Sequence, residues 1–196
     1  MYFIRIPHYY KTMQAIVSLL DKEHCSRLEG LWTDLKDTFG IQSKYTRFLP
    51  HFSYQVSDRY PPEKTRETLQ EFVCSREPFQ VSTAGLGVFT QPHLVIFLPV
   101  IRSAKLTLFH NQLWKKTCPD AESENDQYHP DKWVPHITLV YGENLLQEEM
   151  GTIINYLGQH IINWDITVDN IALIDDKVLD ERTEMQFTFG QAVTKE

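Results

Sequence analysis

Two short stretches of the chain read alike: Pro50-His51-Phe52-Ser53-Tyr54 and Pro135-His136-Ile137-Thr138-Leu139. Each runs proline, histidine, apolar, hydroxyl, apolar. Successive side chains of an extended strand point to opposite faces. His51 and Ser53 therefore share one face, with Phe52 and Tyr54 on the other. The same alternation puts His136 and Thr138 opposite Ile137 and Leu139. The apolar face belongs to a core, which leaves a histidine and a hydroxyl for solvent or a cleft. A lone His-x-Ser says little. His24-Cys25-Ser26 also matches, but it stands at a helix start with no strand around it and is read as incidental. What is specific is two Pro-His-x-(Ser/Thr) strands at equivalent places in a duplicated layout.

This set suits the breaking of a phosphodiester. One group must take a proton from the attacking hydroxyl or water, and another must give one to the departing oxygen. Histidine titrates near neutrality, so one can be neutral while its partner is charged at the same pH. In-line displacement puts nucleophile and leaving group on opposite sides of phosphorus, so the two histidines should flank it. Each such proton transfer contributes about 10²–10⁴ in rate. The Ser53 and Thr138 hydroxyls, one step along the same face, can hold the non-bridging oxygens as charge develops. This chemistry requires no metal and no cofactor. The sequence shows no HExxH motif or carboxylate cluster to hold an ion.

The elements that must position these residues follow from periodicity. Gln14–Leu20 reads as a strand. His24–Phe39 carries Leu28, Leu31, Trp32, Leu35 and Phe39 at helical spacing, with Gly40 able to end the helix. Phe48–Val56 reads as a strand, and Pro61 and Pro62 open a helix through Val73. Strands are expected over Phe79–Val88 and Leu94–Ile101, around a turn at Thr90–Pro92. Gly85-Leu86-Gly87 is a bend in a strand rather than a dinucleotide loop. Ser103 caps a helix with Leu106, Phe109, Leu113 and Trp114. Val134–Tyr141 is a strand and Leu145–Leu157 a helix. Two final strands fall near Ile166–Ile174 and Met185–Phe189. One lead strand is thus followed by helix, strand, helix, strand, strand, and then by that series again, over about 24–101 and 103–190. The expected fold is α+β: one bilobal domain over 1–196, with helices covering mostly antiparallel sheets.

Bulk properties narrow the function. At 196 residues, with 42% hydrophobic and 12% aromatic residues, the chain can bury a substantial core. No apolar run is long enough to span a membrane. Residues 1–12 lack the apolar stretch and cleavage site of a signal peptide. Cys25, Cys74 and Cys118 are odd in number and far apart, as expected of free thiols in a reducing cytoplasm. A formal net charge of −7 disfavours gripping a long duplex and favours a nucleotide or the end of a short strand. The most polar segment, 117–132, reads as a long exposed loop. A monomer is the expected state.

The paired motifs resemble those of the 2H phosphoesterase superfamily, which includes 2′-5′ RNA ligase-like proteins and RNA 2′,3′-cyclic phosphodiesterases. Its two H-x-(T/S)-x motifs match His51/Ser53 and His136/Thr138, and the element order matches from about Gln14 to Phe189. The resemblance implies two pseudo-symmetric lobes with the motif strands facing across a central cleft. It also implies metal-independent cleavage with one histidine as acid and the other as base. Ser53 stands where Thr is commoner, which keeps the hydroxyl but drops the methyl that stiffens the rotamer. The substrate the motifs best fit is a 2′,3′-cyclic phosphate on a nucleotide or short RNA end. The alternatives are cleavage or reversible ligation of 2′-5′ linkages, or of oligonucleotide signals, and a module that binds phosphorylated ends without turnover. Arg47, Arg102 and Tyr141 are secondary candidates for substrate contacts. A solvated surface position is the competing reading for both arginines. Tyr45, Tyr54 and Trp133 also lie near the motifs and are candidates for stacking, although alternation points Tyr54 to the core.

Overall fold

A computed structural model describes residues 13–41, 49–91, 93–142, 147–175 and 185–191. Its elements are β1 (Gln14–Leu19), α1 (Lys22–Phe39), β2 (His51–Ser57), α2 (Pro62–Cys74), β3 (Phe79–Ser82), β4 (Gly87–Phe89) and β5 (Leu94–Pro99). They continue with α3 (Ala104–Thr117), β6 (His136–Gly142), α4 (Gln147–Leu157), β7 (Asp165–Val168), β8 (Asn170–Asp175) and β9 (Met185–Thr188).

Local chemistry accounts for the helix ends. The Asp21 carboxylate accepts from the His24 backbone N–H at 3.0 Å and starts α1. Gly40, at φ 67°, stops it, with its N–H returned to the Lys36 carbonyl at 2.8 Å. Pro62 opens α2, and the Ser103 hydroxyl accepts from the Leu106 N–H at 3.2 Å to start α3.

The strands form a sheet of order β2-β1-β8-β9, a second of order β4-β5-β6, and a β3-β7 ribbon, all antiparallel. Two expected strands are each broken in two. Phe79–Val88 divides at Gly85, where φ is 65°, so that β3 joins the ribbon and β4 turns back onto β5. Thr83 fixes the break: its hydroxyl donates to the Ile162 carbonyl at 2.7 Å and accepts from the Trp164 N–H at 2.8 Å. Ile166–Ile174 divides at Asp169. There the buried Asn170 amide accepts from the Leu19 N–H at 2.9 Å and donates to the Leu19 carbonyl at 3.0 Å, docking β8 onto β1.

The duplication is visible in register. Leu19, Ser18 and Val17 pair with His51, Phe52 and Ser53. Pro99, Leu98 and Phe97 pair with His136, Ile137 and Thr138. Both ladders then shift at the next step, Ile16/Val17 in one and Ile96/Phe97 in the other. The lead strand β1 is therefore the counterpart of β5, and the matched series is strand, helix, strand, helix, strand. One continuous core runs through both halves, joining Leu28, Phe52 and Phe72 to Leu106, Ile137 and Leu157. Among the described residues no helix is long and apolar enough to cross a membrane. Cys25, Cys74 and Cys118 are free thiols.

Candidate active site

Strand alternation places the motif side chains as expected. Phe52, Tyr54, Ile137 and Leu139 are buried, and His51, Ser53, His136 and Thr138 are half-exposed on the opposite face. In the described residues β2 and β6 are edge strands of separate sheets, and they approach each other without pairing. β2 and β6 come near enough for the His136 charge to act on His51.

Both histidines are held the same way. The His51 Nδ1–H donates to the Leu49 carbonyl at 2.7 Å, and the His136 Nδ1–H to the Val134 carbonyl at 2.8 Å. A carbonyl oxygen has no proton to give, so each contact fixes the tautomer. Burial pushes His51 down to about 4, against the Leu49 bond that favours its charge, and the nearby His136 charge lowers it further. Burial also lowers His136, against its bond to Val134. Both rings are held toward the neutral form.

The floors beneath the two histidines differ. Val17 and Leu19, opposite Ser53 and His51, join Ala172 and Ile174 in a small aliphatic cluster. On the other side Phe97 stands opposite Thr138 and lies 5.1 Å from the His136 ring. Phe89 meets His136 edge-on at 5.0 Å and stacks on Phe97 at 4.2 Å. Gly87 makes that stack possible. A Cβ there would sit 2.3 Å from the Phe97 ring.

Behind β2 lies an aromatic support. Trp133 is 2% exposed, stacks on His110 at 3.8 Å, and donates from Nε1 to the Ser53 carbonyl at 2.9 Å. The His110 Nε2–H donates to the Tyr54 carbonyl at 2.9 Å. Trp133 and Tyr54 are thus packing residues, out of reach of a base. Segment 117–132 is not a free loop. It forms short 3-10 turns at Cys118–Asp120 and Asp126–Tyr128, and Ser123 bonds it to Ser57 and Asp58 at the end of β2. Sequence reasoning missed Phe89 and Phe97 beside His136.

Arg102 is exposed, but its guanidinium donates to the Trp133 carbonyl at 3.3 Å and to the Pro130 carbonyl. It is engaged in holding the end of segment 117–132. The ladder shift resets the alternation, so Tyr141 returns to the half-exposed face with its ring 5.4 Å from His93. At about 3.3 Å per residue it stands roughly 16 Å along β6 from His136. Arg47, Tyr45 and residues 1–12 lie outside the described residues. His24, the incidental match, is buried in the first turn of α1 with its Nδ1 on the Asp21 carboxylate at 2.8 Å. Among the described residues no three His, Cys, Asp or Glu side chains gather as metal ligands do.

Paired histidine-hydroxyl strands facing across a bilobal α+β fold define a 2H phosphoesterase. The chain belongs to the 2′-5′ RNA ligase superfamily, whose family model matches residues 21–178. Solved structures share the fold at low identity. TT0787 of Thermus thermophilus is 13% identical with a TM-score of 0.60, covering 91% of this chain and 98% of that one. E. coli LigT complexed with NADP+ is 12% identical with a TM-score of 0.56, covering 92% and 99%. E. coli LigT complexed with 3′-AMP is 12% identical with a TM-score of 0.55 and the same coverage. A search of curated proteins finds no match.

Proposed function

We propose that the protein is a metal-independent phosphodiesterase that opens 2′,3′-cyclic phosphates on nucleotides or short RNA ends, acting as a monomer in the cytoplasm. The observation that carries this reading is the matched pair of histidines, each on a half-exposed strand face with Nδ1 pinned to the carbonyl two residues before it. His51 is the general base. Burial holds His51 toward the neutral form, with the His136 charge adding to it, which suits His51 to take a proton. His136 is then the general acid.

The steps balance. Water attacks phosphorus as its proton passes to His51 Nε2. The bond from phosphorus to one ribose oxygen breaks as that oxygen takes the proton from His136 Nε2. Exchange with solvent resets the pair. The Ser53 and Thr138 hydroxyls donate to the non-bridging oxygens. LigT crystallised with 3′-AMP carries the product class expected here, a nucleoside with a phosphate on a ribose hydroxyl. Tyr141 is too far from His136 to touch the reacting phosphate and suits a more distant part of the substrate. Arg102 serves by fixing segment 117–132, and Arg47 remains a candidate for phosphate contact.

The test is incubation with 2′,3′-cyclic AMP in excess EDTA. Cleavage to a nucleoside monophosphate supports the reading. No cleavage, or cleavage only with added metal, overturns it. A parallel panel of 2′-5′-linked and cyclic oligonucleotides identifies the alternative substrates. Tight binding without product identifies a binding module instead.

A further inference from the structure

His51 and His136 can serve one phosphate only if the strands that carry them keep a fixed separation. Among the described residues β2 and β6 lie in different sheets and share no ladder hydrogen bond. The core that joins the two halves is held by the hydrophobic effect, which has no direction. A misplacement of about 1 Å can cost about 10²-fold in rate. A directional contact between the two motifs is needed to set the distance.

Trp133 supplies that contact. Its backbone belongs with the second motif, since only Val134 and Pro135 separate it from His136. The connection is stiff. The ring of Pro135 fixes its φ, its carbonyl accepts from the Val100 N–H at 2.9 Å, and the His136 ring is bonded back to the Val134 carbonyl at 2.8 Å. The Trp133 N–H donates to the His129 carbonyl at 2.9 Å, and the Trp133 carbonyl accepts from Arg102 at 3.3 Å. The side chain of Trp133 belongs with the first motif. Its indole N–H donates to the Ser53 carbonyl at 2.9 Å, two residues along β2 from His51. One residue thus joins the two motifs, through the chain on one side and through a hydrogen bond on the other.

The bond attaches where β2 departs from its ladder. Val17 pairs with Ser53 and Ile16 with Gln55, so Tyr54 is the extra residue of a bulge. The Ser53 and Tyr54 carbonyls are taken by two side chains from the second half of the chain, the Trp133 indole and the His110 imidazole of α3, the latter at 2.9 Å. The two donors stack on each other at 3.8 Å, and the Tyr54 ring lies 5.7 Å from the indole. The Tyr54 hydroxyl is tied in turn to the Ser18 hydroxyl of β1 at 2.8 Å. Both donor rings are buried, so close packing leaves the indole little freedom to turn. We infer that Trp133 is a positioning residue, a strut between the two halves: its indole N–H, bonded to the Ser53 carbonyl, sets the separation of His51 and His136 across the reacting phosphate. His110 steadies the strut by stacking on the indole and holding the next carbonyl. Trp133 acts only through the two histidines.

This inference rests on the phosphodiesterase reading, so its test has one arm that needs turnover and one that does not. The first arm compares the wild type, Trp133→Phe, His136→Ala and the double variant on 2′,3′-cyclic AMP, well below every melting temperature. Trp133→Phe is expected to lower kcat by about 10–10²-fold with little change in KM. In the His136→Ala background the same change is expected to cost little more, because no pair is left to space. A merely structural tryptophan would lower the rate by the same factor in both backgrounds. Leu69→Ala, a cavity in the core on α2, is the control for lost stability and is expected to melt earlier with kcat near the wild-type value. His110→Phe keeps a stacking ring without the donor to Tyr54 and is the second variant should Trp133→Phe not fold, with the same pattern expected at smaller amplitude. The second arm uses no substrate. NMR is expected to show a coupling across the hydrogen bond between the Trp133 indole nitrogen and the Ser53 carbonyl carbon in the wild type. Relaxation dispersion is expected to show microsecond-to-millisecond exchange on both motif strands in the variant and on neither in the wild type. A wild-type kcat in the variant, equal losses in the two backgrounds, no coupling across the bond, or motif strands as quiet in the variant as in the wild type overturns the inference. If the wild type turns over no cyclic phosphate, the functional reading fails and the second arm alone decides the strut.

Discussion

Replacing Gly87 with alanine should damage the site through a single methyl group. The added Cβ would lie 2.3 Å from the Phe97 ring, and ordinary contact begins near 3.4 Å. The ring must therefore retreat by about 1 Å. Phe97 is 4% exposed, stacked on Phe89 at 4.2 Å and set against His136 at 5.1 Å, so it cannot retreat alone. Overpacking of this kind costs about 1–3 kcal/mol, which for a chain of this length lowers the melting temperature by roughly 2–12 °C. Displacing the ring that seats His136 should also cut kcat, by as much as about 10²-fold if the imidazole moves with it. Gly30 is the internal control, since nothing lies within 4 Å of a Cβ built there. It sits mid-way along α1, so Gly30→Ala should stabilise by about 0.5–1 kcal/mol through helix propensity. The assays are thermal unfolding and steady-state kinetics on a cyclic nucleotide, with Phe97→Leu added to Gly87→Ala to relieve the crowding. Equal melting temperatures for Gly87→Ala and Gly30→Ala, or no recovery in the double variant, would refute the packing argument.

Trp133→Phe removes the donor to the Ser53 carbonyl and half of the stack on His110. Chemical denaturation should show a loss of about 2–4 kcal/mol, and a loss under about 0.5 kcal/mol, the low end for a single hydrogen bond, would contradict its role behind β2. Stability should also fall in acid. Burial holds His110 down at about 4, against its bond to Tyr54, with the Arg102 and His129 charges adding to the depression. The unfolded chain takes this proton near 6.5 while the native state resists it. The His110 contribution is therefore complete above about pH 6.5 and lost as pH falls toward about 4, by at most about 1.4 kcal/mol per pH unit. His51 acts in the same direction. Denaturation at a series of pH values should show a shallower slope in His110→Gln, and an unchanged slope would remove His110 as a cause.

The parts of the site legible in the sequence were those governed by local rules. Period-two alternation put His51 with Ser53 and His136 with Thr138, because an apolar face that must be buried leaves no other choice of register. Gly40, Pro62 and Ser103 marked helix ends through backbone chemistry that acts within one turn. What stayed hidden was set by long-range bonds. The strand breaks at Gly85 and Asp169 interrupt sequence that favours extension throughout, and they are imposed by Thr83 on Ile162 and by Asn170 on Leu19. Segment 117–132 is the most polar stretch of the chain, and bonds from Ser123 to Ser57 and Asp58, far away in sequence, bring it onto the end of β2. Phe89 and Phe97 looked like ordinary strand residues, since nothing in one strand tells which neighbour's histidine it will seat.

If His51 and His136 together move the protons of phosphodiester cleavage, the pH dependence of turnover must report them both. The direct measurement is kcat/KM for 2′,3′-cyclic AMP across pH in the wild type, His51→Ala and His136→Ala, with 3′-AMP affinity measured alongside. The wild type should give a bell-shaped profile with its maximum on the acid side of about pH 6.5, since both imidazoles are held below their ordinary value. Each variant should lose about 10²–10⁴ in rate while still folding and binding the nucleotide. Either variant keeping its rate within tenfold of the wild type would contradict the paired-histidine account.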